Sequence, residues 1–292
     1  MSICYFCGQN ETIERSHIIP AYFFRWLKKN SFTNFMRSPL KNNKRVQDGI
    51  YLPLLCHDCE EEFSKYENSF KKNIFDKILN NQNKILLNPD DKKFIYSLIW
   101  RVVAMYYYFK KDYLSYFNEN ELEKIPFFHN FIKDAYYSGT SNIIKTHLLP
   151  FNEYIYESVF INDNTLFNKV LYIQRAIGCD FYPWENERYF IVIIKLPLFV
   201  IICEMNNRNN WNDVQIEHTS EIYFKKAYKL PEYIYWLLRM EYGKYCKVSE
   251  NKMNEKDNAK IMRMISKNTL NEKSLILAKD LLLKIMSHDN KI

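Results

Sequence analysis

Glycine is scarce, with five residues in 292. That excludes a glycine-rich phosphate loop or a glycine-punctuated repeat array, since both need many positions free of a Cβ. No positively charged segment followed by an apolar stretch opens the chain, so it shows no secretion signal. Long apolar runs are missing as well. FIVIIKLPLFVII at 190–202 is broken by Lys195 and Pro197, well short of a membrane span. Together these absences predict a soluble, cytoplasmic protein with no membrane partner. Thiols stay reduced in that compartment, so the seven cysteines are not expected to form disulfides.

What is present is apolar and aromatic: 47% hydrophobic residues, with 23 Tyr and 21 Phe. A chain of this length and composition can bury a full core, which excludes disorder. It fits one large domain or a small module followed by a larger one.

Four of the cysteines fall into two matched pairs. Cys4 and Cys7 lie in CYFCGQNETIERSHIIP (4–20), and Cys56 and Cys59 in LLCHDCEEEF (54–63), with the same spacing. Each CxxC turn presents two thiolates at one end of a knuckle, and two such turns can close the tetrahedral sulfur shell that structural zinc favours. Cys7 and Cys56 are 49 positions apart, but the entropic cost of closing a loop grows only logarithmically with its length. Four sulfurs saturate the ion, so neither His17 nor His57 is needed as a zinc ligand. Cys179, Cys203 and Cys246 sit in apolar surroundings and read as small buried hydrophobes.

The charge is uneven. Residues 1–47 hold eight Lys or Arg against Glu11 and Glu14, a net of +6 out of the +7 of the whole chain. Between the cysteine pairs the basic residues Arg25, Lys28, Lys29, Lys44 and Arg45 alternate with Tyr22, Phe23, Phe24, Trp26, Phe32 and Phe35. A nucleic-acid backbone needs such a segment, although a solvated basic loop has the same composition.

Three regions follow along the chain. Phe63, Tyr66, Phe70, Ile74 and Ile78 recur at three- or four-residue intervals and predict a helix beginning at the second cysteine pair. NNQNKILLNPDD (80–91) reads as a linker that ends by capping the next helix. The expected domains are therefore 1–85, carrying both pairs, and 90–292. Residues 92–117 are apolar on most sides and predict a buried central helix. Strands are expected at 171–182, 189–195 and 198–205, the last two pairing through Lys195-Leu196-Pro197. Helices are expected at 231–246, 255–266 and 272–287. The apolar face of the last, with Leu275, Leu277, Leu281, Leu282, Ile285 and Met286, either closes the core or offers a surface to a protein partner or a second copy. The predicted class is α+β: an N-terminal module, then a larger, mostly helical domain with a small antiparallel sheet.

A CxxC, then Ser16-His17-Ile18-Ile19-Pro20, then Leu54-Leu55-Cys56-x-x-Cys59 opening a helix, resembles the HNH, or His-Me finger, endonucleases. The resemblance covers residues 1 to about 80, and KRVQDGIYLPLLCHDCEEEFSKYE (44–67) is similar to segments of uncharacterised bacterial HNH-like proteins, some from phage-defence loci. It implies a zinc-stabilised ββα, treble-clef-like module with Cys4, Cys7, Cys56 and Cys59 as the structural Zn2+ ligands. It further implies that His17 is the general base activating water against a scissile phosphate, with DNA as the expected substrate.

Three positions depart from the family pattern. Ser16 stands where the family often has an aspartate, and Tyr51 near the place of the middle Asn, with Gln47 and Asp48 the nearest polar residues. Glu60 replaces the final His or Asn. A carboxylate can still hold Mg2+ or Mn2+, since hard cations prefer oxygen ligands. Glu60 and Glu67 are seven apart, nearly two helical turns, and share a face. Glu60 is the first expected cation ligand and Asp48 the second. Equally, Glu60–Glu62 suit the positive end of a helix, and His17 suits a packed, hydrogen-bonded role. The sequence thus leaves three readings open: a metal-dependent endonuclease, a catalytically silent zinc-knuckle module binding nucleic acid or protein, and a nuclease governed by a sensing region in 90–292.

Overall fold

The computed structural model describes residues 2–31, 36–37, 45–151, 155, 159, 172–184, 189–205, 211–249 and 259. The expected helices at 255–266 and 272–287, apart from residue 259, lie outside the described residues, as does Lys44. Helices and small antiparallel sheets combine in an α+β chain, as expected.

Two compact units cut across the sequence order. The first takes Met1–Ile19, Ile50–Pro150 and Ile177–Lys226, and the second takes Pro20–Gly49, Phe151–Ala176 and Ala227–Ile292. The chain opens in the first unit with β1 (Ser16–His17), and passes through α1 (Ala21–Lys29), β2 (Met36–Arg37) and β3 (Arg45–Val46) of the second. It re-enters the first unit at β4 (Tyr51–Leu52), followed by α2 (His57–Phe70). One π turn, Lys71–Phe75, carries α2 into α3 (Asp76–Leu79). Phe63, Phe70, Ile74 and Ile78 are all buried along this helical run, so its apolar period is the face it packs.

The 80–91 stretch is not an extended linker, and its flanks share the first unit. Lys84–Leu86 forms β5, and Asn88 and Asp91 close a capping box on α4 (Pro89–Ala104): Asp91 N donates to Asn88 Oδ1 at 2.8 Å and Asn88 N to Asp91 Oδ2 at 3.1 Å. The same Asn, Asp and Pro that suggest a linker are the residues that start a helix.

Every residue from Phe94 to Ala104 is buried, which makes α4 the central helix its sequence predicts. A second π turn, Met105–Phe109, leads into α5 (Lys111–Leu114) and then α6 (Glu119–Ser138). Phe6 packs edge-on against Phe63, Trp100 and Tyr136 with ring centroids 4.8–5.2 Å apart, joining the N-terminal loop to α2, α4 and α6.

A four-stranded antiparallel sheet completes this unit: β6 (Ile144–Pro150), β9 (Phe199–Met205), β8 (Tyr189–Leu196) and β7 (Gly178–Trp184), adjacent in that order. β8 and β9 pair as expected, but Lys195 and Leu196 belong to β8, with Leu196 opposite Phe199, so the turn is Pro197-Leu198 rather than Lys195-Leu196-Pro197. The strand expected from 171 starts later, since 172–175 are helical. Its Tyr172 and Ile173 are buried within the second unit. β10 (Glu221–Tyr223) pairs with β5. In the second unit, Arg175 donates to the carbonyls of Asn30 (2.7 Å) and Leu27 (2.9 Å) and so closes the C-terminal end of α1. α7 (Glu232–Ser249) covers the helix expected at 231–246.

Candidate metal centre and the carboxylate–arginine cluster beside it

The first CxxC folds as a tight turn because Gly8 adopts φ 72°, which lets its N–H reach the Cys4 carbonyl at 2.9 Å. Cys4 N donates to Asn10 O at 2.8 Å, and Tyr5 N to Leu54 O at 3.1 Å, which fixes this turn to the segment entering α2. Cys56 is the N-cap residue of α2 and Cys59 lies in its first turn. The four sulfurs all lie within 4.8 Å of one another, and Cys7 Sγ is 3.7 Å from Cys56 Sγ. A zinc tetrahedron with bonds of about 2.3 Å has sulfur–sulfur edges of about 3.8 Å, so the cluster is of the right size. The sulfurs compete for charge. Cys4, taking a hydrogen bond from Cys59, is lowered to about 4, while Cys59, which gives it, is raised. Four thiolates in this space require a cation among them, and the set Cys4, Cys7, Cys56 and Cys59 could hold a metal ion such as zinc.

His17 lies on β1, which pairs antiparallel with β4 so that His17 stands opposite Tyr51 and Ser16 opposite Leu52. Ile18 N extends the ladder to Ile50 O at 3.0 Å. The Arg15 guanidinium lies 3.9 Å from the Tyr51 ring centre, and the His17 and Tyr51 rings are 6.1 Å apart. Tyr51 therefore acts as an aromatic platform for Arg15.

Ser16 is fully buried, and its hydroxyl accepts from Leu55 N at 3.1 Å. An aspartate here would place a second carboxylate in the buried surroundings of Glu60.

The run Glu60–Glu62 divides three ways. Glu61 is exposed and 3.3 Å from His57. Glu62 accepts from Tyr136 OH at 2.6 Å. Glu60 turns inward: its Oε2 is buried without a hydrogen-bond partner, and burial pushes its carboxyl up, against the pull of Arg101. Glu67 and His17 also act on it. The direct contacts run through Arg101, which joins Glu67 to the His17 carbonyl.

Arg101 was not singled out from the sequence. It is fully buried in α4, where Nη1 donates to Glu67 Oε1 (2.7 Å) and to the His17 carbonyl (3.0 Å). The signal was one charge inside the apolar run IYSLIWRVVAMYYY: an arginine on an all-round buried helix must find partners.

Asp48 belongs to the second unit, where its Oδ1 accepts from Gly49 N at 2.9 Å. Among the described residues, the four cysteines are the only group of three or more His, Cys, Asp or Glu placed to hold a metal; His17, Asp48 and Glu60 form no second one. Of the basic residues, Arg25, Lys29 and Arg45 are exposed, and Lys28 Nζ donates to Gln47 O at 2.5 Å. Among the described residues no helix is long and apolar enough to cross a membrane. No protein-family model, no curated protein and no solved structure matches the chain.

Proposed function

We propose that this protein is a metal-dependent endonuclease of the HNH type acting on DNA, with structural zinc held by Cys4, Cys7, Cys56 and Cys59. The observation that carries the reading is the docking of the short strand pair with His17 on the helix that the cysteine cluster opens: Leu55 N donates to Ser16 Oγ at 3.1 Å, and Arg101 Nη1 joins the His17 carbonyl to Glu67. The His17 imidazole is half-buried and takes the proton of the attacking water. Glu60, with an uncommitted oxygen, would hold Mg2+ or Mn2+, for which one carboxylate plus waters and substrate oxygens is a common ligand set. Bound there, such a cation would stabilise the charge that develops on the phosphate. The stack of Arg15 on Tyr51 lies on the same strand pair as His17.

The absence of a second preassembled metal group among the described residues favours a different reading, a catalytically silent zinc-knuckle module that binds nucleic acid or protein. Incubation of purified protein with plasmid DNA and Mg2+ or Mn2+ separates the two. We expect cleavage that His17→Ala lowers by roughly 10² to 10⁴ in rate, the range of general-base catalysis, with zinc content and DNA affinity close to wild type. Full activity in His17→Ala removes His17 from the mechanism. DNA binding without cleavage under either cation leaves the silent module.

A further inference from the structure

Arg101 is a costly residue to keep. A fully buried guanidinium must recover its lost hydration from the protein, yet its Nη2 has no hydrogen-bond partner. The bonds it does make converge on two elements of the candidate site. Nη1 reaches the backbone carbonyl of His17 on β1 and the Glu67 carboxylate on α2, and Nε lies 3.4 Å from Ser97 O in its own helix. The face of Phe63, with its ring centre 5.5 Å from the guanidinium carbon, holds the group in plane. β1 has only two residues, so its own ladder does little to fix the His17 backbone.

Charge sorting follows from the same contacts. Glu60 and Glu67 lie on one face of α2, and the direct 2.7 Å ion pair goes to Glu67. Glu67 is thereby paired, while Glu60 keeps a buried oxygen without a hydrogen-bond partner.

We propose that Arg101 is a positioning residue for the candidate nuclease centre: from the central helix it fixes the backbone that carries the His17 imidazole and engages Glu67, leaving Glu60 as the carboxylate available to a cation. The proposal rests on the nuclease reading for its catalytic consequence, but the anchoring of β1 has a readout of its own.

Two variants test it on the full chain. Lysine at position 101 keeps the charge but has no planar fork with which to serve a carbonyl and a carboxylate together. Glu67→Gln keeps the shape of the partner and removes its charge. In Arg101→Lys we expect kcat to fall on the order of 10²-fold, the loss that misplacement of about 1 Å produces. KM and zinc content should stay within about twofold of wild type, since the contact acts on the transition state rather than on binding. The Ile18 amide, bonded to Ile50 O beside the freed His17 carbonyl, should exchange with solvent faster, while the amides of Phe94–Ala104 keep their protection. Glu67→Gln should show the same pattern more weakly, and it carries the test if Arg101→Lys does not fold. Wild-type kcat in a folded Arg101→Lys protein overturns the positioning role and leaves the nuclease reading standing. A wild-type chain that cleaves nothing removes the nuclease reading instead. The anchor is then judged on exchange alone, and an unchanged Ile18 rate in both variants overturns it.

Discussion

His129 shows how far burial alone can move one side chain. It sits on α6 with its ring 4.9 Å from that of Trp100; its Nε2 is buried without a hydrogen-bond partner, and burial, with a smaller push from Lys133, lowers it from 6.5 to about 4. The sign follows from linkage. Below about 6.5 the unfolded chain takes up a proton that the folded chain refuses, so this histidine reduces stability as pH falls from 6.5 towards 4 and has no effect above. The loss reaches about 2 kcal/mol by pH 5 and about 3 kcal/mol at completion. His129→Phe keeps an aromatic ring against Trp100 and removes the proton. The melting temperature of the variant relative to wild type should therefore rise steadily from pH 7 to pH 5. A difference that does not change with pH would mean that the ring takes up its proton equally in the folded and unfolded chain. Residue chemistry of this kind divides sharply in what the sequence discloses. The cysteine pairs were legible because metal geometry imposes a spacing on the chain. Arg101 was not, because its partners His17 and Glu67 are 84 and 34 positions away, and no local pattern records them.

Elements were legible where period or capping is local. The α2 run showed its buried face at helical spacing, α4 its all-round burial and the 88–91 box its helix start. β6 escaped notice because IKTHLLP mixes Lys, Thr and His into a strand whose burial comes from pairing with β9, a long-range event. The segment at 172–175 was expected as a strand for its β-prone residues, yet it is a helical turn whose Arg175 closes the end of α1. The cysteine cluster acts at this same scale. It joins the Cys4–Cys7 turn to the start of α2, and between them run the bonds Tyr5 N to Leu54 O and Ile13 N to Leu55 O. Metal binding to such a set is part of its folding free energy. Cys56→Ser also alters the N-cap residue of α2. Protein purified under reducing conditions should carry about one zinc per chain, and Cys56→Ser should lose it together with a large drop in melting temperature. Cys179→Ser, outside the cluster, should keep the metal. Zinc-free wild type, or zinc-replete Cys56→Ser, would remove the metal centre.

For the molecule as a whole, the two contact units are the feature that reading the chain in order least reveals, since each is assembled from three separated segments. The charge distribution is the feature it reveals best, because charges are counted without knowing the fold. Residues 1–47 carry +6 of the net +7. The structure refines which of these charges can meet a phosphate backbone. In the second unit Arg25, Lys29 and Arg45 are exposed, and Lys28 gives a hydrogen bond to the Gln47 carbonyl. Each phosphate neutralised on duplex DNA releases counterions and contributes about 0.9 to the slope of log affinity against log salt. If the exposed three track the backbone, Arg25→Gln, Lys29→Gln and Arg45→Gln together should weaken DNA binding and flatten that slope by roughly 2 to 3. Lys28→Gln alone should change it less than Arg25→Gln or Lys29→Gln, since its ammonium is partly committed within the protein. Binding isotherms between low and moderate salt, with folding monitored by melting temperature, provide the measurement. A triple variant with the wild-type slope would show these charges to be merely solvated, and DNA would then have to engage another surface.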